Sequence, residues 1–113
     1  MHFELIHHAH FVVIKCLAEK LDINLASELK SEIILLNKKG INTIIFDLEK
    51  TKYCDSSGLS SILMGNRLCK DSGGKFVLCS INSVVKKLIE ISQLDKVLFI
   101  QDSLESAIDF IQK

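Results

Sequence analysis

The stretch of this 113-residue chain richest in chemically active side chains is Tyr53-Cys54-Asp55-Ser56-Ser57-Gly58-Leu59. It lies between a buried apolar run ending near Asp47-Leu48 and a periodic run that begins at Leu59, so a carboxylate and two hydroxyls stand at a helix entrance. Oxygen-bearing side chains in that position ordinarily cap, accepting hydrogen bonds from the first free N–H groups of the helix. Ser57 is one residue nearer the helix and is the expected cap, which leaves Ser56 free. A serine on a strand-to-helix turn also suggests the nucleophile elbow of acyl-transfer enzymes. That reading fails here. Cys54 stands where the elbow needs glycine, every histidine lies at or before His10, and the chain is short for such a hydrolase. No enzymatic activity is expected.

Two other sets of reactive residues point to structure. Cys16, Cys54, Cys69 and Cys79 are irregularly spaced, with no Cys-x-x-Cys pair for zinc or redox work, and read as free thiols in a core. His7, His8 and His10 are close in sequence, but in an extended segment His8 and His10 share one face while His7 points to the other. They read as a solvated strand end, and neither a metal nor an organic cofactor is expected.

Composition narrows the function classes further. Fourteen basic residues balance fourteen acidic ones, so no overall field draws the chain to nucleic acid. No apolar run approaches the ~20 residues that span a bilayer, so membrane insertion is not expected. The opening Met1-His2-Phe3-Glu4 lacks the basic-then-apolar pattern of a signal peptide, and a cytoplasmic location is expected. Glycine-rich phosphate-cradling motifs are absent too, which weakens a nucleotide-binding role.

The elements that must position the serine loop follow from periodicity. Phe3 to Ile6 and Phe11 to Leu17 read as two strands joined in a hairpin around His7 to His10. Leu25, Ala26, Leu29, Ile33 and Leu36 recur at the spacing of one helix face, and Lys38-Lys39-Gly40 supplies the cations and glycine that suit a C-terminus. Thr43 to Phe46 and Lys75 to Cys79 are short apolar runs typical of strands buried on both faces. Between them Leu59, Ile62, Leu63 and Asn66 mark a helix that stops at Ser72-Gly73-Gly74. Asn82 caps a third helix carrying Val85, Leu88 and Ile89, Val97 to Ile100 forms a last strand, and Ser103 caps a closing helix with Leu104, Ala107, Ile108 and Ile111 inward. The order ββαβαβαβα predicts an α/β fold: a mixed, mostly parallel sheet with an N-terminal antiparallel edge and helices packed on it. At this length, residues 1–113 are expected to form one domain.

With that order in place, the chain resembles the STAS domains, and among them the single-domain anti-sigma factor antagonists of bacterial partner-switching systems. The resemblance is carried by Asp55-Ser56-Ser57-Gly58-Leu59, with Lys20-Leu21-Asp22 before the first helix, Gly73-Gly74-Lys75 before the next strand and Val85-Lys86-Lys87-Leu88 in the third helix. It departs from the family pattern at Glu19, where a glycine is usual, and at Ser60 and Ser61. The resemblance implies that Ser56 is phosphorylated by a serine kinase of the ATP-binding histidine-kinase-like type that is also the anti-sigma factor. It implies that a metal-dependent, PP2C-type phosphatase reverses the modification, and that the unphosphorylated form binds the kinase and frees its client. Asp22, Asp55, Ser56, Ser57, Gly58 and Leu59 are then the partner-binding residues, and Tyr53 is expected to pack under the loop.

Phosphate adds about −1.5 to −2 charges at a helix N-terminus, where N–H groups and the helix dipole favour an anion, so the fold should accept it. A penalty of ~2–4 kcal/mol at the partner surface corresponds to roughly 30- to 1000-fold weaker binding. The rival expectation is a constitutive scaffold, resembling the STAS subunits of ABC-type lipid-transport complexes, in which the same loop docks a partner without a switch. The serine at the modifiable position favours the switch.

Overall fold

The computed structural model describes residues 2–112. In chain order the elements are β1 (Phe3–His7), β2 (Val12–Cys16), β3 (Lys20–Leu21), α1 (Ile23–Lys38), β4 (Ile44–Asp47), β5 (Tyr53–Cys54), α2 (Ser56–Asp71), β6 (Phe76–Cys79), α3 (Ser83–Ile91), a 3-10 turn (Leu94–Lys96), β7 (Phe99–Gln101) and α4 (Leu104–Gln112). Five strands form one sheet in the order β1-β2-β4-β6-β7. The β1–β2 hairpin is antiparallel and every other pairing in that sheet is parallel, the α/β architecture expected from the element order.

Alternation along the strands divides the core in two, because successive side chains point to opposite sheet faces. Val12, Ile14, Ile44, Phe46, Phe76 and Leu78 meet the apolar stripes of α1, α2 and α3 in the larger core. Val13, Ile45, Val77 and Cys79 face the other way and meet Ala107, Ile108 and Ile111 of α4. The runs that read as buried on both faces are so because helices cover both sides. The stripe of α1 is Leu25, Ala26, Leu29, Ile33 and Leu36, the five positions its periodicity marks. Asn82 and Ser103 cap as expected: Val85 N–H donates to Asn82 Oδ1 at 2.9 Å, and Ser106 N–H to Ser103 Oγ at 3.0 Å.

Several local readings need correction. Helix α1 begins at Ile23 and α2 at Ser56, ahead of their first buried apolar side chains, Leu25 and Leu59, because both are opened by an aspartate cap. The last strand begins at Phe99, since the 3-10 turn delays it and leaves Val97 exposed. Two short strands, β3 and β5, form a separate parallel ribbon; at two residues each, neither carries a period from which to read it. Tyr53 does not pack under the loop: it stands on β5 with 48% of its surface exposed.

Cys16, Cys54, Cys69 and Cys79 are free and buried. His7, His8 and His10 are exposed, and His8 stacks on Phe11 with ring centroids 4.4 Å apart. Among the described residues, no group of three or more His, Cys, Asp or Glu is placed to hold a metal ion, and no helix is long and apolar enough to cross a membrane.

Candidate functional site

The β3–β5 ribbon builds the site. Lys20 pairs with Tyr53 and Leu21 with Cys54, so the next residues along the two parallel strands, Asp22 and Asp55, arrive side by side. Each is an extended N-cap, Asp22 for α1 and Asp55 for α2. Asp22 Oδ1 accepts from Asn24 N–H at 3.0 Å. Asp55 does more: Oδ1 accepts from Gly58 N–H at 2.9 Å within its own helix, and Oδ2 accepts from Ile23 N–H at 3.1 Å across the ribbon. Its own N–H donates to Leu21 O at 3.2 Å, so the Asp55 backbone ties the start of α2 to β3 while its carboxylate ties it to α1.

The expected cap, Ser57, is therefore overturned in favour of Asp55. An ionised carboxylate with two oxygens can serve N–H groups from two helices, which one hydroxyl cannot do. Ser56 and Ser57 are the first two residues of α2, Ser56 exposed and Ser57 half-buried. Gly58 is buried beneath them because a Cβ there would collide with the Leu21 carbonyl oxygen and stand 2.7 Å from Cys54 Sγ. Leu59 then turns inward as the first apolar residue of the α2 core stripe. Ser61, also buried, donates its hydroxyl to Gly58 O at 2.6 Å, which settles a polar group where an aliphatic one would otherwise sit.

The loop is held from outside as well. Buried Thr51 donates to Ala18 O at 2.9 Å, and Lys52 N–H donates to Glu19 O at 2.7 Å. Asn82 Nδ2 donates to Lys52 O at 3.1 Å, which brings the N-terminus of α3 against the start of β5. The entrances of α1, α2 and α3 thus meet at one end of the molecule, beyond the C-terminal ends of the parallel strands.

The same geometry limits the chemistry. The turn bearing His7, His8 and His10 precedes β2 and lies at the opposite end of the sheet, so it brings no base to Ser56. Beneath the loop, burial pushes the Cys54 thiol up to about 12, with the Asp55 charge and Cys16 adding to it. At neutral pH it is a packed, protonated thiol and not a nucleophile. What remains at the surface is the Ser56 hydroxyl at the first position of a helix, next to two capping carboxylates. Such a position takes an added anion without loss of a structural bond.

A family model for the STAS domain matches residues 2–107. The chain belongs to the STAS domain family. This STAS domain is 26% identical over 109 residues to the anti-sigma F factor antagonist of Paenibacillus polymyxa, with 96% of this chain and 92% of that protein covered. Its fold is similar to the crystal structure of a proposed anti-sigma factor antagonist from Thermotoga maritima, with a TM-score of 0.87, 27% identity and 98% and 95% of the two chains covered. It is also similar to SpoIIAA, an anti-sigma factor antagonist solved in two forms. Against the unphosphorylated form the TM-score is 0.77 at 25% identity, covering 97% of each chain. Against the phosphorylated form, from Bacillus, it is 0.77 at 26% identity, covering 96% and 98%.

Sequence reasoning located the loop and both aspartates but missed the part Asp55 and Ile23 play together. The available signal was Asp55 three residues before Gly58, the spacing at which a capping carboxylate meets the third N–H of a helix. No signal within either segment announced the second bond to Ile23.

Proposed function

We propose that this STAS domain is an anti-sigma factor antagonist that works as a phosphorylation switch at Ser56. Its unphosphorylated form binds a serine kinase that doubles as an anti-sigma factor and so releases the kinase's other client; phosphate on Ser56 ends that binding, and a PP2C-type phosphatase restores it. The domain itself catalyses nothing in this scheme. Asp22, Asp55, Ser57, Gly58 and Leu59 shape the surface the kinase meets, with Ser56 as the acceptor.

The observation that carries this reading is the position of Ser56. It is exposed at the first residue of α2, the cap duty is taken by Asp55, and the neighbouring Asp22 carboxylate is likewise engaged, with the Asn24 N–H. The Ser56 hydroxyl is thus available for modification without a structural bond being lost. Support also comes from SpoIIAA, which this chain resembles to the same degree with and without its phosphate.

Phosphopeptide mass spectrometry on the protein from its native cells tests the reading directly. Phosphate localised to Ser56 is expected under at least one growth or stress condition. Its absence across conditions, with a partner complex that persists in Ser56→Asp, would point instead to constitutive docking.

A further inference from the structure

Around Ser56 the surface is more apolar than its acidic neighbours suggest. Ile23, the first residue of α1, is 68% exposed; Tyr53 on β5 is 48% exposed; Val84, in the first turn of α3, is 56% exposed. They come from three elements that the site's own bonds draw together: Ile23 N–H donates to Asp55 Oδ2, Tyr53 lies two residues before Asp55, and the α3 cap Asn82 donates to Lys52 O. Ser56 opens α2 directly after Asp55, the residue that joins the first two of these elements.

The charges closest to this platform are already answered within the chain. Asp22 and Asp55 accept from backbone N–H groups at helix entrances, and Glu19 pairs with Lys52 at 3.8 Å. Lys20, three residues before Ile23, and Lys86 and Lys87, two and three residues after Val84, are exposed in the manner of a polar rim. Complementarity at the centre therefore asks for an uncharged, apolar surface.

Resting on the switch reading above, we propose that Ile23, Tyr53 and Val84 are the anchors that dock an apolar patch of the kinase partner, and that phosphate on Ser56 ejects the partner by desolvation. A dianion at the centre of a dry contact must shed its water without gaining a counter-charge, and that cost does not depend on an acidic group across the interface. Affinity and control then reside on different residues: the three apolar side chains set binding strength, and Ser56 gates it.

The test uses the full chain and the purified kinase that phosphorylates it. Ile23→Ser, Tyr53→Ser and Val84→Ser are compared with Ile34→Ser, an exposed apolar residue of α1 outside the site, each checked first for unchanged thermal unfolding. Each platform variant is expected to weaken binding by roughly tenfold or more, with Ile34→Ser within about twofold of the parent. The loss caused by phosphorylating Ser56 is expected to be nearly the same at low salt and at about 0.5 M salt, where exposed charge–charge effects are screened. Platform variants that bind like the parent, or a phosphorylation effect that collapses in high salt, overturn the proposal while leaving the switch intact. Failure to recover from the native cells any kinase that binds or phosphorylates the parent chain overturns both.

Discussion

Asp55 and Ile23 lie 32 residues apart in the chain, yet the carboxylate of one holds the N–H of the other at 3.1 Å while capping its own helix through Gly58 N–H at 2.9 Å. One side chain thereby fixes the relative placement of two helix N-termini. Ser56, the next residue, inherits its position from that clamp.

Removing the clamp should be costly. Asp55→Ala loses a cap and a cross-ribbon bond and is expected to lower stability by about 1.5–3 kcal/mol in urea unfolding. Asp55→Asn keeps one acceptor oxygen and should fall between the parent and the alanine variant. Equal stability of all three would remove Asp55 from its structural role.

Asp22 separates capping from recognition. Asp22→Ala should cost about 1 kcal/mol, because Asn24 N–H loses its acceptor. Asp22→Ser restores the cap without the charge, so its stability should return close to that of the parent. If partner binding falls equally in both variants, the carboxylate contributes to recognition; if binding tracks stability alone, its part is structural.

Gly58→Ala sets two effects against each other. Alanine in a helix gains about 0.5–1 kcal/mol over glycine, whereas forcing a Cβ against the Leu21 carbonyl costs about 1–3 kcal/mol or more. The clash should win, with a net loss of about 1–2 kcal/mol in thermal or urea unfolding. A stabilised variant would show that the ribbon yields easily and that the close approach is not a constraint.

At Ser56, stability and binding should move in opposite directions. Ser56→Ala is expected to leave stability within about 0.5 kcal/mol, since the residue is exposed and Asp55 does the capping. Ser56→Asp adds a negative charge in the first turn and should stabilise the fold by about 0.3–1 kcal/mol while weakening the partner complex. Calorimetric unfolding paired with binding measurements checks both signs; an aspartate variant that is destabilised would contradict the placement of Ser56 at the start of α2.

The buried thiols predict an alkaline weakness. Burial raises Cys54, Cys69 and Cys79 to about 12 from an ordinary value of 9.0. These are acids with folded values above their unfolded ones, so above pH 9 the unfolded chain releases protons that the folded chain keeps. Their contribution is complete below about pH 9 and is lost progressively between about 9 and 12. Under reducing conditions the melting temperature should fall across that window, and less steeply in a Cys69→Ala/Cys79→Ala variant. An unchanged slope would mean that other groups govern the alkaline limb.

Much of the fold was legible because each piece of evidence lay within one element. The stripe Leu25, Ala26, Leu29, Ile33 and Leu36 is a local period, and the run Ile44-Ile45-Phe46 reports burial on both sides without reference to its neighbours. Glycine and lysine after α1, and Asn82 and Ser103 before α3 and α4, mark ends by chemistry that acts over a few residues. The crossover rules then carry that order to a mostly parallel sheet. The loop Asp55-Ser56-Ser57-Gly58 was legible as a helix entrance for the same reason.

Which oxygen capped that entrance was decided only in three dimensions. Asp55, Ser56 and Ser57 are all competent acceptors by type, and Asp55 prevails because the two-residue strands Lys20–Leu21 and Tyr53–Cys54 deliver Ile23 N–H to its second oxygen. Strands that short have no period, and a bond spanning 32 residues has no local signature. The exposure of Ile23, Tyr53 and Val84 was hidden likewise, since an apolar residue shows in sequence that it is apolar but not which of its neighbours fails to cover it. Sequence by itself determined the four helices, the five strands of the main sheet, the order of these elements and the serine loop. The tertiary structure alone decided that two aspartates meet, that one of them binds two helices, and that Ile23, Tyr53 and Val84 stay exposed on the elements that hold the serine loop.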